Sequence, residues 1–276
     1  MPHQLLTSSY IIMLENYKTH VKERLEQGIP PLPLNAEQVT ELVELLKSPP
    51  SGEEEYILDL ITNRTPAGVD PAAYVKAAFL TAVAKGETTS PLIDKKHATK
   101  LLGTMLGGYN VESLIGLLED PEVGSLAADG LSHTLLMFNA KHDVIELAET
   151  NENAKRVVDS WSDGEWFTTK PELPEVIKAI VFRVEGEINT DDLSPAPDAP
   201  SRPDIPLHAL AMLKKTMDDP IGTIEKLKES GLPVVFVGDV VGTGSSRKSA
   251  TNSLLWHIGE DIPFIPNKKQ AGICIG

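Results

Sequence analysis

The chain has 276 residues, of which 41% are hydrophobic and 24% are charged, and its formal net charge at pH 7 is −15. This composition is typical of a soluble globular protein with room for one large or two ordinary domains. The acidic charge argues against broad, nonspecific nucleic-acid binding. The single cysteine, Cys274, excludes a disulfide framework and any multi-cysteine metal or cluster site built by this chain alone.

No targeting or membrane segment is predicted. No apolar run is as long as a transmembrane helix. The opening stretch, MPHQLLTSSYIIMLENY, lacks the basic start and long apolar segment of a signal peptide. We therefore expect a cytoplasmic protein without a membrane partner.

The first two thirds of the chain are predicted to be helical. NAEQVTELVELLK begins with Asn35 as a candidate N-cap and has Gln38 three places on, which is close to a capping box. YVKAAFLTAVAKG repeats the helical spacing of apolar residues. A third helical stripe comprises Val123, Leu126, Ala127, Leu131, Leu135 and Phe138. Short breakers separate these segments, so the pattern predicts stacked helical hairpins as in HEAT-like solenoids.

The pattern changes near residue 172, where an α/β part is predicted to begin. Residues 176–188 are β-branched and partly alternating, and LPVVFVGDV is a continuous apolar run, so both predict strands. Helices are predicted for LHALAMLKKTM, IGTIEKLKES and RKSATNSLLWHIG.

The stretch GDVVGTGSSRKSATN joins the second predicted strand to the last predicted helix. A P-loop needs glycine where Arg247 stands, and a dinucleotide fingerprint also needs glycine there, so neither nucleotide motif is present. Ser245, Ser246 and Arg247 would instead bring hydroxyls, a guanidinium and backbone N–H groups to a helix start that suits an anion. An ordinary strand–helix turn capped by serine explains the same spacing equally well.

A proline-rich loop supplies a second candidate cluster. Its polar residues are Asp191, Asp192, Asp198, Arg202 and Asp204. Arg202 could bind a carboxylate through a bidentate fork. The aspartates suit acid–base work or turn capping, and capping is the favoured interpretation for most of them. The histidines show no metal-ligand spacing, and we predict no metal ligand in this chain.

Two segments, GEINTDDLSPAPDAPSRPDIPLHALAML and GDVVGTGSSRKSATNSLLW, resemble the swivel domain of the bacterial aconitase B family. The upstream segments GEEEYILDLITNR, AYVKAAFL and GLSHTLLMFNAKHDV resemble that family's HEAT-like domain. The resemblance implies a multidomain fold: an all-α HEAT-like solenoid at 13–171 and a truncated α/β swivel domain at 172–276. Residues 1–12 match neither domain and are expected to be an upstream extension.

The resemblance also implies the chemistry of a lyase that interconverts citrate and isocitrate through cis-aconitate. It assigns Ser245 as the base that removes a carbon-bound proton, with Ser246, Arg247 and Arg202 contacting substrate. A 4Fe–4S cluster acts as Lewis acid in the family, and its ligands are expected outside this chain, so that Cys274 is not one of them. Pro200 stands where the family is expected to have an aromatic residue, which puts the local shape of that loop in question.

Further expectations follow from the resemblance. The partners would be a tricarboxylic acid, the family's cluster-bearing domains, a second copy in a homodimer and mRNA in the cluster-free form. The substrate range could include 2-methyl-cis-aconitate, and the chain alone is expected to be inactive. Two alternatives stay open: a non-enzymatic helical scaffold that mediates assembly or contacts RNA, and a small subunit that completes a hydratase site with a cluster-bearing chain, as in isopropylmalate isomerases.

Overall fold

The computed structural model of the chain describes residues 2–134, 137–138 and 140–276, and of residues 2–9 the backbone only. The described residues form two compact units. The first unit lies within residues 1–19, 33–172 and 264–266, and the second consists of residues 20–32, 173–263 and 267–276. The domain limits inferred from the resemblance remain a prediction. The units of the structure differ from them by grouping residues 20–32 with the second unit and residues 264–266 with the first.

Helices build the first unit. Its helices are α1 (Pro2–Glu26, shared with the second unit), α2 (Ala36–Lys47), α3 (Glu54–Asn63), α4 (Pro71–Ala84), α5 (Lys95–Gly103), α6 (Val111–Ile115), α7 (Gly124–Ser132), α8 (Ala140–Leu147), α9 (Glu152–Asp163) and α10 (Glu165–Thr168). Helix α2 packs against α4, α4 against α5, α5 against α7, and α7 against α9. Each of these five helices therefore buries apolar residues against the next in a continuous series. No helix in the described ranges is both long and apolar enough to cross a membrane.

The predicted start of α2 is confirmed. The Asn35 side chain accepts a hydrogen bond from the Gln38 backbone N–H, and the Gln38 side chain accepts one from the Asn35 N–H. This reciprocal pair satisfies two backbone donors that a helix start would otherwise leave unbonded. The capping box was thus predictable from the local sequence.

The third predicted stripe is shorter than expected. Helix α7 ends at Ser132, and Phe138 is 79% exposed with a left-handed φ of 45°. Val123, Ala127 and Leu131 are buried as predicted, whereas Leu135 lies outside the described residues. Extending the stripe to Phe138 was wrong because the backbone leaves helical geometry before it reaches that residue.

Helices α5 and α7 approach so closely that glycines meet at their contact. A Cβ atom added at Gly130 would lie 2.8 Å from the Cα atom of Gly103, and such a backbone contact cannot be relieved by rotating a side chain. We expect Gly130→Ala to lower the unfolding free energy, because overpacking costs about 1–3 kcal/mol and opposes the helix-propensity gain of about 1 kcal/mol. Thermal unfolding checks this. Gly116→Ala is the matched control, since its Cβ would meet nothing closer than 3.5 Å; equal melting temperatures for the two variants would contradict the prediction.

A parallel sheet organises the second unit. Its strands are β1 (Ile180–Asn189), β2 (Val234–Thr243) and β5 (Ile273–Ile275) in the order β1-β2-β5, and a separate antiparallel pair is formed by β3 (Glu260–Asp261) and β4 (Lys269–Gln270). Its helices are α11 (Thr190–Leu193), a 3-10 helix (Ala196–Ser201), α12 (Ile205–Ala209), α13 (Pro220–Lys228) and α14 (Lys248–Ile258). A core of Phe182, Ile188, Leu213, Phe236 and Leu254 joins the sheet to these helices. The predicted α/β character of this part is confirmed.

Two predicted elements of this unit differ from the structure. Strand β1 begins at Ile180 rather than 176, because its parallel partner starts with Val234 opposite Ile180 and offers no earlier pairing. The helix predicted for 207–217 ends at Ala209. Leu213 adopts a left-handed φ of 58° and donates its N–H to the carbonyl of Asp192 at 2.8 Å, so a tertiary contact replaces the helical bond.

Candidate active site

The turn between β2 and α14 is built around glycine. Gly244 has a φ of +90°, and a Cβ there would lie 3.2 Å from the Thr190 Oγ1. Both the backbone conformation and the close approach favour glycine at this position. The Thr190 hydroxyl donates to the carbonyl of Ser245 at 2.8 Å, which ties the turn to the end of β1.

The serines of this turn do not cap the following helix. The N-cap residue of α14 is Arg247, and no side chain in the described part of the chain caps the first turn. Ser245 and Ser246 are both exposed, and among the described residues neither hydroxyl makes a hydrogen bond. The capping alternative for these serines is therefore wrong, and both hydroxyls are available to a ligand together with the N–H groups of the helix start.

The two arginines predicted for the site both approach one backbone carbonyl oxygen. The Arg202 Nη2 lies 3.4 Å from the Ser194 carbonyl oxygen, and the Arg247 Nη1 lies 3.2 Å from the same atom. Arg247 also forms an ion pair with Asp191, and its hydrogen bond is the main reason that the pKa of the Asp191 carboxyl lies below its usual value. The structure thus brings Arg202 and Arg247 together, beside the turn that carries Ser245 and Ser246.

The buried Ser194 hydroxyl joins Arg202 to a histidine. Its Oγ lies 3.2 Å from the Arg202 Nε, 2.8 Å from the His208 Nε2 and 2.7 Å from the Ser249 Oγ. On the other side of the ring, the His208 Nδ1 lies 2.8 Å from the Ser201 Oγ. Burial is the main reason that the pKa of His208 lies below its usual value. Sequence reasoning missed Ser194 and saw in His208 only a helical position.

The remaining aspartates of the proline-rich loop serve structural roles. Asp192 completes a capping box with Asn189 at the start of α11, and Asp198 pairs with Lys214. Asp204 accepts from the first turn of α12 and forms a bidentate ion pair with Arg24 at 2.7 and 2.9 Å. The favoured interpretation, that most of these aspartates cap turns, holds for Asp192 and Asp204.

Two cavities flank the Asp191–Arg247 ion pair. The first, of about 320 Å³, includes Ser246, Arg247 and Cys274 in its lining, and the second, of about 270 Å³, includes Asp191 and Lys215. One member of the ion pair therefore lines each cavity. Ser245 and Arg202 line neither of them.

The residues present do not fit an iron–sulfur cluster. Within the ranges that the structure describes, no group of three or more His, Cys, Asp or Glu side chains could hold a metal ion. Such a cluster is bound mainly by several cysteine thiolates, and the chain has only Cys274. Burial raises the pKa of the Cys274 thiol, which disfavours the thiolate that a metal needs.

Comparison with known proteins links both parts of the chain to one family. The family model described as Aconitate B N-terminal domain matches residues 16–167, and that described as Aconitate hydratase 2 N-terminus matches residues 179–276. Proteins named Aconitate hydratase B are 63% identical in Pseudomonas aeruginosa, 61% in Synechocystis sp. and 58% in Escherichia coli K12. Each match covers 96% of this chain and 31–32% of the relative. The chain therefore spans about a third of the length of the curated relatives it matches.

Proposed function

The chain belongs to the aconitate hydratase B family, and from this premise we propose that it is the N-terminal part of an aconitate hydratase. The whole enzyme interconverts citrate and isocitrate through cis-aconitate. Its substrates also include 2-methyl-cis-aconitate. In this enzyme the second unit of the present chain supplies substrate-binding and proton-transfer groups.

The observation that carries the proposal is the meeting of Arg202 and Arg247 at the Ser194 carbonyl, beside the exposed Ser245 hydroxyl. Two guanidinium groups held in fixed positions suit a substrate with several carboxylates, because each can form charge-assisted hydrogen bonds to one of them. Ser246, in the same turn, adds a hydroxyl donor. Thr190 fixes the turn, so these groups are positioned before substrate arrives.

Ser245 acts as the base that removes the carbon-bound proton. A serine hydroxyl is a weak base in water, and its alkoxide needs positive charge and hydrogen-bond donors nearby. Arg247, two residues further along the same turn, and the uncapped first turn of α14 support this assignment. The absence of any hydrogen bond from the Ser245 hydroxyl to the described residues leaves its oxygen free for the substrate.

The whole enzyme also carries the family's 4Fe–4S cluster, which supplies Lewis-acid chemistry toward a substrate carboxylate and hydroxyl. Its ligands lie outside this chain, because the single cysteine cannot provide them. In this division of labour, the present chain binds substrate carboxylates and transfers the proton, and another part of the protein binds the cluster.

The serial packing of α2, α4, α5, α7 and α9 supports a HEAT-like domain for the first unit. The sheet-containing unit corresponds to the family's swivel domain. A cytoplasmic location, a homodimer and an mRNA-binding form without the cluster remain predictions from the family resemblance.

Comparing the whole protein with residues 1–276 alone tests the proposal. We expect the whole protein, with its cluster, to convert isocitrate to cis-aconitate, as measured by ultraviolet absorbance. The isolated chain should show no turnover and no stoichiometric iron or sulfide. Turnover by the isolated chain would contradict the division of labour, and an inactive whole protein with an intact cluster would contradict the assigned reaction.

A further inference from the structure

The surroundings of His208 determine which ring nitrogen carries its hydrogen. The Nδ1 lies 3.1 Å from the backbone carbonyl of Asp198, and a carbonyl oxygen can only accept a hydrogen bond. The Ser201 hydroxyl, also close to Nδ1, donates to the same carbonyl at 2.7 Å. The hydrogen of neutral His208 is therefore on Nδ1, and the Nε2 is left with a lone pair.

This tautomer fixes the direction of every hydrogen bond at Ser194. The Nε2 of His208 must accept, so the Ser194 hydroxyl donates to it. The two lone pairs of the Ser194 Oγ then accept from the Ser249 hydroxyl and from the Arg202 Nε–H. The hydroxyl makes one donated and two accepted bonds, which is its full capacity, and its residue is completely buried. Arg202 is thereby held at two points of Ser194, the hydroxyl oxygen and the carbonyl oxygen.

We infer that neutral His208 is a positioning residue that orients the Arg202 guanidinium through the Ser194 hydroxyl, and that protonation of His208 weakens tricarboxylate binding. The inference rests on the proposed function, because Arg202 is taken to bind a substrate carboxylate. His208 itself acts only through Ser194.

Protonation would reverse two bonds of this network, the one between His208 and Ser194 and the one between Ser194 and Ser249. A hydrogen on Nε2 would point at the Ser194 Oγ, which already accepts from Arg202, and the Ser194 hydroxyl would have to turn away toward Ser249. A second positive charge would also lie next to the Arg202 guanidinium. The ionisable groups around His208 are Arg202, Asp198 and Lys214, with the Arg24–Asp204 ion pair at the start of α12 and His257 bonded to the Ala209 carbonyl from α14.

The sign of the pH dependence follows from burial, which disfavours the charged ring and lowers the pKa of His208. The ring is therefore neutral at pH 7 and gains a proton only as the pH falls below the ordinary histidine value of about 6.5. Tricarboxylate binding should be full at neutral pH and weaken as the pH falls through the His208 pKa.

Two substitutions test the roles of the two His208 ring nitrogens separately. His208→Gln places an amide oxygen near the position of Nε2, where it can accept from Ser194, and cannot be protonated. His208→Asn keeps a donor near Asp198 but provides no acceptor for Ser194. The control is His257→Gln, a second buried histidine on the packed helix that bonds Ala209 and does not contact Ser194.

The experiment measures the KM and kcat of the whole enzyme for isocitrate from pH 5.5 to 8, the Kd for citrate by calorimetry, and the melting temperature. At pH 7.5 we expect His208→Asn to raise KM roughly three- to tenfold, the equivalent of one misplaced hydrogen bond, with kcat within about twofold of wild type. His208→Gln should have near-normal KM at pH 7.5 and should lack the rise in KM that we expect of wild type below pH 6.5. His257→Gln should follow the wild-type pH curve even where its melting temperature is lower.

Unchanged KM in His208→Asn, or a rise in KM at low pH in His208→Gln equal to that of wild type, would overturn the inference. If His208→Asn does not fold, Ser194→Ala provides the same test, because it removes the hydroxyl and keeps the carbonyl. Arg202→Lys is measured in parallel. If it weakens citrate binding and His208→Asn does not, only the positioning role is lost, whereas a wild-type enzyme that binds no citrate overturns the proposed function as well.

Discussion

Replacing Ser245 with alanine in the whole enzyme should lower kcat by roughly 10²–10⁴-fold, the usual contribution of a general base. The KM should change little, because Arg202 and Arg247 keep their places at the Ser194 carbonyl. The change removes an exposed hydroxyl that bonds no described residue, so the turn should keep its shape. Steady-state kinetics with isocitrate and a melting curve measure both effects.

Ser246→Ala is the matched control for this variant. Ser246 is the next residue of the same turn, and its hydroxyl is equally exposed and equally free of hydrogen bonds to the described residues. As a substrate contact it should affect KM more than kcat and retain at least about a tenth of the wild-type kcat. If both alanine variants lose turnover to the same extent, the turn as a whole rather than the Ser245 hydroxyl is responsible.

Arg202→Lys should raise KM by about 10- to 100-fold with a smaller effect on kcat. Lysine keeps the charge but loses the planar fork, and a charge-assisted hydrogen bond is worth about 1.5–3 kcal/mol. The structure sharpens this expectation, because Arg202 uses its Nε and Nη2 on Ser194 and one ammonium group cannot replace both while reaching a substrate.

Arg183→Lys is the matched control for Arg202→Lys. Arg183 forms an ion pair with Asp239, and both side chains are more than half exposed. Exposed pairs contribute about 0–1 kcal/mol, so this variant should leave KM and the melting temperature nearly unchanged. A KM for Arg202→Lys no higher than that for Arg183→Lys would contradict the role of Arg202.

The sequence predicted those features that depend on neighbouring residues. The capping box of α2, the apolar strand β2 and the glycine turn are each specified within about ten residues, and each has its expected form. The predicted start of β1 and the predicted end of α12 were wrong because both depend on distant partners. Strand β1 can begin only where Val234 pairs with it, and the helix after Asp204 stops where Leu213 bonds Asp192.

The candidate site shows the same limit. Two short motifs were enough to identify Ser245, Ser246, Arg247 and Arg202. They did not identify Ser194, whose carbonyl holds the two arginines. Ser194 meets Ser249 across 55 positions of sequence and carries no pattern of its own. Its role arises only when the turn after β2 folds against the start of the proline-rich loop.

The central claim is that Ser245 transfers the proton at a site built by this chain. Hydrogen exchange at the substrate carbon tests this claim most directly. The whole enzyme and its Ser245→Ala variant are incubated with isocitrate in D₂O, and deuterium bound to carbon is measured by mass spectrometry. Wild type should incorporate deuterium, and Ser245→Ala should bind isocitrate with near-normal Kd yet incorporate it at least about 100-fold more slowly. Incorporation by Ser245→Ala at the wild-type rate would contradict the assignment of Ser245 as the base.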